Sequence, residues 1–197
     1  MTKAQLIKSY TASQIKRILT TSSDGAARAA LANLRRGIGH APGEIPEIWG
    51  EFLLNMPEEF LGKEGEPSHA EWAIYTALTL FALHQQGKDR ASESMDREDI
   101  SLGSAAARLI ESEDDRERVS RRFYPAATAS DMKDLSQKLR GLVTLLRANG
   151  IALDHAMLAA DLYLFQNPDT ADRVRLRWGE DFCRTNSSQQ EQNEKEE

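Results

Sequence analysis

The segment from residue 131 to residue 147 has the clearest hydrophobic pattern in the chain. Its apolar side chains recur at three- and four-residue steps, as on one face of an α-helix: Met132, Leu135, Leu139, Leu142, Val143 and Leu146. A second set recurs at the same steps and contains cations but no acid: Lys133, Gln137, Arg140, Thr144 and Arg147. The pattern predicts a helix with a buried apolar face and an exposed basic face.

This basic face has two interpretations. Lys and Arg commonly solvate the outer side of a helix without any further role. The same row also suits a phosphate backbone, because the planar guanidinium group stays charged and binds phosphate through two parallel hydrogen bonds. The row alone does not separate the two interpretations.

Hydrophobic periodicity and helix breakers predict an almost entirely helical protein. The expected N-terminal elements cover residues 3–19, 24–36, 69–86 and a short segment at 47–55. The expected C-terminal helices cover residues 103–112, 114–123, 131–149, 154–165 and 169–184. The N-cap candidates are Asp24, Ser68, Asp131, Asp154 and Asp169. No Val/Ile/Thr-rich alternation predicts a strand.

Residues 87–100 are polar and carry no clear period, which predicts a linker or mobile loop. The expected fold is therefore all-α, with two packed helical bundles joined by this polar loop. The N-terminal helical half is residues 1–86 and the C-terminal helical bundle is residues 101–184. Residues 185–197 are acidic and almost free of apolar side chains, which predicts a disordered tail.

The formal net charge of −6 at first argues against nucleic-acid binding. The charge is uneven, since the last 11 residues hold four acids and one lysine. Residues 101–184 hold 13 Lys and Arg and 13 Asp and Glu, so that half is neutral. A nucleic-acid surface would therefore have to arise from segregated charges rather than from overall attraction.

Composition narrows the functional class further. No stretch reaches the ~20 apolar residues of a membrane span, and no signal-peptide pattern is seen at the N-terminus. Cys183 is the single cysteine, so no intramolecular disulfide forms and a cytoplasmic protein is expected. We expect Cys183 to be a core or rim residue, and His155 to lie at the surface or in a cap.

Catalytic motifs are missing from the sequence. The histidines have no HExxH or other metal-ligand spacing, and there is no Walker A sequence. No cofactor, metal or enzymatic activity is expected. The remaining signal is arginine: Arg118, Arg121 and Arg122 share one helix face. Arg35 and Arg36 close a helix, where they equally suit the negative end of its dipole.

Five motifs in order carry a family resemblance: SLGSAAARL at 101–109, RRF at 121–123, LRGLVTLL at 139–146, GIALDHAMLAADL at 150–162 and VRLRWGEDF at 174–182. ALANLRRG at 30–37 adds a sixth, weaker match. Together they resemble the CasB family, the small subunit of the type I-E CRISPR complex Cascade. Residues 44–67 and the acidic tail have no counterpart in this resemblance.

The resemblance implies an all-α, non-catalytic subunit, with cleavage left to a separately recruited helicase–nuclease. It implies contacts with the backbone and large subunits, with a second copy placed head-to-tail, and with crRNA and the target and non-target DNA strands. The backbone contacts it implies are Arg35, Arg36, Arg121, Arg122, Arg140, Arg173 and Arg175. The helical stripe adds Lys133 and Arg147, with Lys138 beside it. The motif at 101–103 (SLG) is expected to be structural, as a cap and a point of close packing.

The sequence thus supports one leading hypothesis and two alternatives. The leading one is a Cascade small subunit that binds the nucleic-acid backbone without sequence specificity and stabilises the R-loop. The first alternative is a helical scaffold whose basic rows bind acidic protein partners, because an arginine row does not distinguish phosphate from carboxylate. An enzyme of unknown type is the second.

Overall fold

The computed structural model describes the backbone of residues 1–196, with the side chains of Glu113 and residues 186–196 left out. Within this part the chain forms nine α-helices and no strand. They are α1 (Lys3–Thr20), α2 (Asp24–Arg36), α3 (Trp49–Phe52), α4 (His69–His84), α5 (Leu102–Ala107), α6 (Glu113–Ala127), α7 (Met132–Ala148), α8 (His155–Phe165) and α9 (Pro168–Glu196). Short 3₁₀ turns at Pro46–Ile48 and Glu58–Phe60 flank α3. The all-α prediction is confirmed.

Several helix starts follow the predicted capping chemistry. The side chains of Ser68, Asp131 and Asp154 each accept a hydrogen bond from a backbone N–H in the first turn. Two predicted caps were wrong. Ser23, not Asp24, caps α2, and the Asn167 side chain accepts from the backbone N–H of Asp169. In both cases the acid lies one or two residues inside the helix, where it still favours the positive end of the helix dipole.

The last helix extends further than the sequence suggested. The backbone of α9 is helical to Glu196, whereas the sequence predicted disorder from residue 185. Extending an existing helix needs no new nucleus, and Gln, Glu and Lys are good helix formers. The side chains of this acidic segment and all of Glu197 lie outside the described residues.

Helix α4 lies at the centre of the molecule. Of its 16 residues 13 are buried, and it packs against α1, α2, α7 and α8. Helix α8 packs against α1, α4 and α9, so helices from both halves contact each other directly. The buried apolar residues form one continuous cluster, from Ile7 in α1 to Phe182 in α9. The two halves therefore share a core.

The polar connection of residues 87–100 contains no helix, as predicted, but it is firmly held. Arg90 donates to the carbonyls of Leu19 and Thr21 at 2.9 and 2.7 Å, where α1 ends, and it also binds Asp24. The backbone N–H of Leu153 donates to the Met95 carbonyl at 3.1 Å. These contacts tie the loop to both halves and favour a fixed connection over a mobile one.

Helices α5 and α9 approach each other with almost no space between their backbones. Ser101 caps α5, and a Cβ atom added to Gly103 would lie 2.1 Å from the Trp178 carbonyl oxygen. Only glycine permits this distance. The structural role predicted for residues 101–103 is confirmed.

Candidate nucleic-acid interface

Helix α7 presents the two faces that its sequence predicted. Met132, Leu135, Leu139, Leu142, Val143 and Leu146 are all buried, against α4 and α6 among others. On the other side, Lys133, Gln137, Arg140 and Thr144 are exposed and Arg147 is half-buried. The cations Lys133, Arg140 and Arg147 therefore lie in a row along the outer face of the helix.

Neighbouring elements add cations to this row. The Arg122 guanidinium of α6 lies close to Gly141 of α7, since its Nη1 would be 3.5 Å from a Cβ added there. At the end of α2, burial and then the nearby positive charge of Arg147 lower the pKa of Arg35. We call the group formed by Arg35, Arg122, Lys133, Arg140 and Arg147 the α7 basic surface.

The cations of the α7 basic surface are free of carboxylate partners within hydrogen-bonding distance in the described part of the chain. Arg147 donates instead to the Gln86 side chain at 2.8 Å, which orients it without neutralising it. Lys133 makes only a small contribution to lowering the pKa of Glu44, whose main partner is His40. A ligand anion would therefore meet cations that no protein carboxylate already occupies.

Four of the other predicted contacts are neutralised in place. Lys138 binds Asp134 at 2.7 Å, Arg121 binds Glu117, and Arg36 lies 3.6 Å from Glu47. Arg175 binds Asp172 and donates to the Ala127 carbonyl, both at 2.7 Å, and its guanidinium lies over the Phe165 ring. Arg175 thus anchors α9 to the end of α6, and these four residues are not brought into the α7 basic surface.

Arg173 is exposed and binds no other group among the described residues. It lies about a third of a turn from the buried row of Val174 and Trp178 on α9, outside the buried face of that helix. The structure shows no contact between Arg173 and α6 or α7, so it also lies apart from the α7 basic surface.

Comparison with models of known protein families assigns the chain to one family. The family model described as CRISPR-associated protein Cse2 matches residues 30–182. The chain belongs to the Cse2 family. The resemblance found in the sequence is confirmed, since CasB structures of this family match the fold as well.

Three solved structures illustrate the likeness to Cse2 proteins. CasB from Thermobifida fusca is 33% identical, with 91% of this chain and 96% of that chain covered and a TM-score of 0.70. CasB from Thermus thermophilus is 23% identical, with 92% and 98% covered and a TM-score of 0.65. A chain of a structure described as a CRISPR RNA-guided surveillance complex is 20% identical, with 95% and 99% covered and a TM-score of 0.72. A comparison with curated proteins gave no match.

One cation of this Cse2 chain escaped the sequence reasoning. Arg28 is exposed on α2, about two helical turns before Arg35, so the two share a face. Together with Lys88 they line an open groove of about 490 Å³ between α2 and the start of the polar connection. The seven-residue spacing from Arg35 could have identified Arg28 from the sequence, because it places both residues on one face of the helix. Arg28 extends the basic surface along α2.

The buried histidines are a further departure from the sequence prediction. His155 is fully buried, not at the surface, and its Nε2 lies 3.2 Å from Nδ1 of His84. His84 Nε2 donates to the Ile151 carbonyl at 2.9 Å, so its Nδ1 accepts from His155. His155 Nδ1 lies 2.9 Å from a carboxylate oxygen of Asp96, so His155 connects His84 to Asp96. The network joins α4, α8 and the polar connection.

The buried acid Asp161 stabilises the packing of α8 against α9. Asp161 of α8 binds the Arg177 guanidinium, and it accepts a hydrogen bond from the Trp178 indole at 2.7 Å. Burial raises the pKa of Asp161 to about 6, although Arg177 opposes the shift. Cys183, expected in the core or at its rim, is exposed, because the buried row of α9 passes through Trp178 and Phe182 on the opposite side.

Neither a metal cluster nor a membrane helix is seen in the described residues. No three His, Cys, Asp or Glu side chains there are grouped as metal ligands. No helix in this part combines the length and the apolar character needed to cross a bilayer.

His84 gives a pH-dependent prediction. Burial, then the charge of His155, lowers the pKa of His84 to about 3. Its stabilising contribution is therefore fully present above pH 6.5 and is lost as the pH falls, because only the unfolded chain then binds a proton at this ring. The native chain and a His84→Gln variant differ in their free energy of unfolding. This difference should shrink by about 2 kcal/mol in favour of the variant when the pH is lowered from 7 to 5.

Urea unfolding at both pH values, followed by circular dichroism, measures this difference. Asp161 and the surface acids are the same in both proteins, so their titration cancels. A difference that stays constant from pH 7 to pH 5 would show that His84 is protonated in the folded state and would contradict the network.

Proposed function

We propose that this Cse2 protein is a non-catalytic small subunit of a Cascade-type CRISPR complex in the cytoplasm. In this proposal it binds the nucleic-acid backbone without sequence specificity and stabilises the R-loop in antiviral defence. Its partners are the backbone and large subunits, a second copy of itself, the crRNA and the target and non-target DNA strands. Family membership and the α7 basic surface support it.

The observation that carries the proposal is the geometry of the α7 basic surface. At ~1.5 Å per residue, the row from Lys133 to Arg147 is roughly 21 Å long, enough to follow several phosphates. Arg122, near Gly141, and Arg35, near Arg147, add two cations to the row. Four arginines and a lysine without carboxylate partners form a track that binds charge rather than base edges, so sequence specificity is not expected.

A modest contribution from this track is enough for the function. Exchange of a DNA duplex for a guide–target heteroduplex is nearly balanced in free energy, so contacts that hold a strand shift the equilibrium. Each Lys or Arg contact with a single strand makes the logarithm of affinity fall by about 0.7 per logarithmic unit of salt. Since the net charge is −6, we expect weak binding by the free chain and stronger binding within the assembly.

The competing proposal is a helical scaffold that binds acidic protein partners and has no direct contact with nucleic acid. One observation favours it: Arg36, Arg121, Lys138 and Arg175 already bind carboxylates of this chain. The free cations of the α7 basic surface would then bind acids of a neighbouring subunit.

Crosslinking separates the two proposals. A photoreactive benzophenone amino acid at Gln137 lies between Lys133 and Arg140 on the exposed row and replaces no cation. In a reconstituted complex with an R-loop, we expect this position to crosslink to DNA or RNA with every target sequence. The control position is Leu176 on the outer side of α9, where no nucleic-acid crosslink is expected.

Protein-only crosslinks at position 137 would support the scaffold and refute backbone binding. Failure of the chain to co-purify with a guide-RNA complex would refute membership of the assembly.

A further inference from the structure

An apolar groove lies beside the short helix α3, in a region for which the sequence offered no role. It is lined by Pro42, Trp49, Leu53, Gly62, Glu66 and Pro67 and has a volume of about 250 Å³. Small-molecule pockets usually measure about 300–1,000 Å³, so the groove suits one or two protein side chains better than a cofactor. The Trp49 side chain is 45% exposed, and Leu61, which precedes the lining residue Gly62 in the chain, is 42% exposed.

Hydrogen bonds hold the backbone on both sides of the groove. The Tyr10 hydroxyl donates to the Phe52 carbonyl at 2.7 Å, and the Gly62 N–H donates to Glu71 at 2.8 Å. The turn that follows Gly62 has Glu64 and Gly65 both at positive φ, as in a tight type I′ turn. Trp49 and Leu61 are therefore exposed by a fixed backbone, and a partner would not have to order this surface on binding.

The surroundings of the groove are strongly acidic. Residues 44–67 contain seven glutamates and one lysine. The side chains of Glu58, Glu59, Glu64 and Glu66 are exposed and bind no other group in the described part of the chain. Glu66 lines the groove and Glu64 lies in the turn above it. An exposed tryptophan next to free carboxylates favours a cation, since the Trp ring is the best aromatic partner for Lys or Arg.

We propose that this Trp49 groove docks a basic segment of another protein, in which an apolar side chain enters the groove. Lys or Arg residues on either side of it then contact Trp49 and the free glutamates. The α7 basic surface is built from other elements, so this docking does not depend on nucleic-acid binding. In this proposal the acidic groove binds protein, and the α7 basic surface binds nucleic acid.

A second copy of the chain is a poorer match. One candidate anchor is Leu176 on α9, which is 63% exposed between arginines. Arg177 is bound to Asp161 and Arg175 to Asp172, so Arg173 is the one uncommitted cation beside it among the described residues. One free cation does not balance four free carboxylates, and Asp172 and Glu180 are exposed nearby.

The test uses the full-length chain and a six-residue probe peptide, GRLRKG, followed by NMR. We expect the Trp49 indole N–H signal to shift on titration, while that of the buried Trp178 stays in place. A matched peptide, GRSRKG, tests the apolar anchor and should bind at least tenfold more weakly. A double variant, Glu64→Gln with Glu66→Gln, should also bind GRLRKG at least tenfold more weakly.

The control variant Glu98→Gln with Glu180→Gln removes the same charge from exposed positions elsewhere and should bind as the native chain does. Equal affinity for the two peptides would mean unspecific charge attraction and would overturn the proposal. The absence of a Trp49 shift at about 1 mM peptide would also overturn it, because the dissociation constant would then be weaker than about 1 mM. Shifts of the same signal with protein concentration alone would assign the groove to a second copy and also overturn it.

Discussion

Replacing Gly103 with alanine is expected to lower the midpoint of thermal unfolding by about 10 °C. The new Cβ would lie 2.1 Å from the Trp178 carbonyl oxygen and 2.9 Å from the Phe182 nitrogen. Both atoms belong to the backbone of α9, so the two helices would have to separate around a fully buried tryptophan. Overpacking of this kind costs about 3 kcal/mol, and a chain of this length loses about 2–4 °C per kcal/mol.

Gly179→Ala is the matched control, since it makes the same change in α9. A Cβ at Gly179 would meet no atom within 4 Å beyond its chain neighbours and the backbone of its own helix, and alanine favours a helix interior by about 0.5–1 kcal/mol. Its midpoint should therefore stay the same or rise. Scanning calorimetry of the three proteins measures both effects. An unchanged midpoint for Gly103→Ala would mean that α5 and α9 are further apart than the structure shows.

The helices were largely predictable because they depend on local patterns. The apolar residues of α7 repeat with the helical period, and all six are buried. Errors arose where two neighbouring residues were equally suitable as the N-cap of a helix. Ser23 and Asp24 both accept hydrogen bonds well, and only the backbone decides which one is the cap.

The buried polar groups were not predictable from local patterns. His155 binds Asp96, 59 residues earlier, and His84, 71 residues earlier. Such pairs form only when α4, α8 and the polar connection have packed together. A polar residue with distant partners therefore resembles a surface residue in the sequence, which is why His155 was misplaced.

The structure brings some of the predicted cations together and pairs others with acids, and their contact with nucleic acid stays a prediction. The acids that bind Arg121, Lys138 and Arg175 lie three or four residues earlier in the same helix, a spacing that already indicates an ion pair. Arg122 and Arg140 have no acid at those positions. This spacing selects four of the ten predicted contacts, because Asp169 also lies four residues before Arg173 in α9. It does not select Arg36, whose partner Glu47 lies beyond α2.

Reversing Arg122 and Arg140 together to glutamate is expected to shorten the lifetime of the R-loop at least tenfold in about 0.1 M salt. Both guanidinium groups lie on the α7 basic surface, and neither binds a carboxylate among the described residues, so the change removes two phosphate contacts and adds two repulsions. The dependence of the logarithm of affinity on the logarithm of salt should become shallower by about 1.4. The loss should be similar for every target sequence, because phosphates carry no base information.

The charge-matched control is Lys16→Glu with Arg97→Glu, two exposed cations on α1 and in the polar connection. Because all four side chains face solvent, neither double variant should change the thermal midpoint of the isolated chain appreciably. If the control shortens the R-loop lifetime as much as the test variant, overall charge and not the α7 basic surface holds the strands. If lifetimes fall only for particular targets, the surface reads bases, and a backbone clamp is refuted. Normal lifetimes with the complex fully assembled would place strand binding on another subunit.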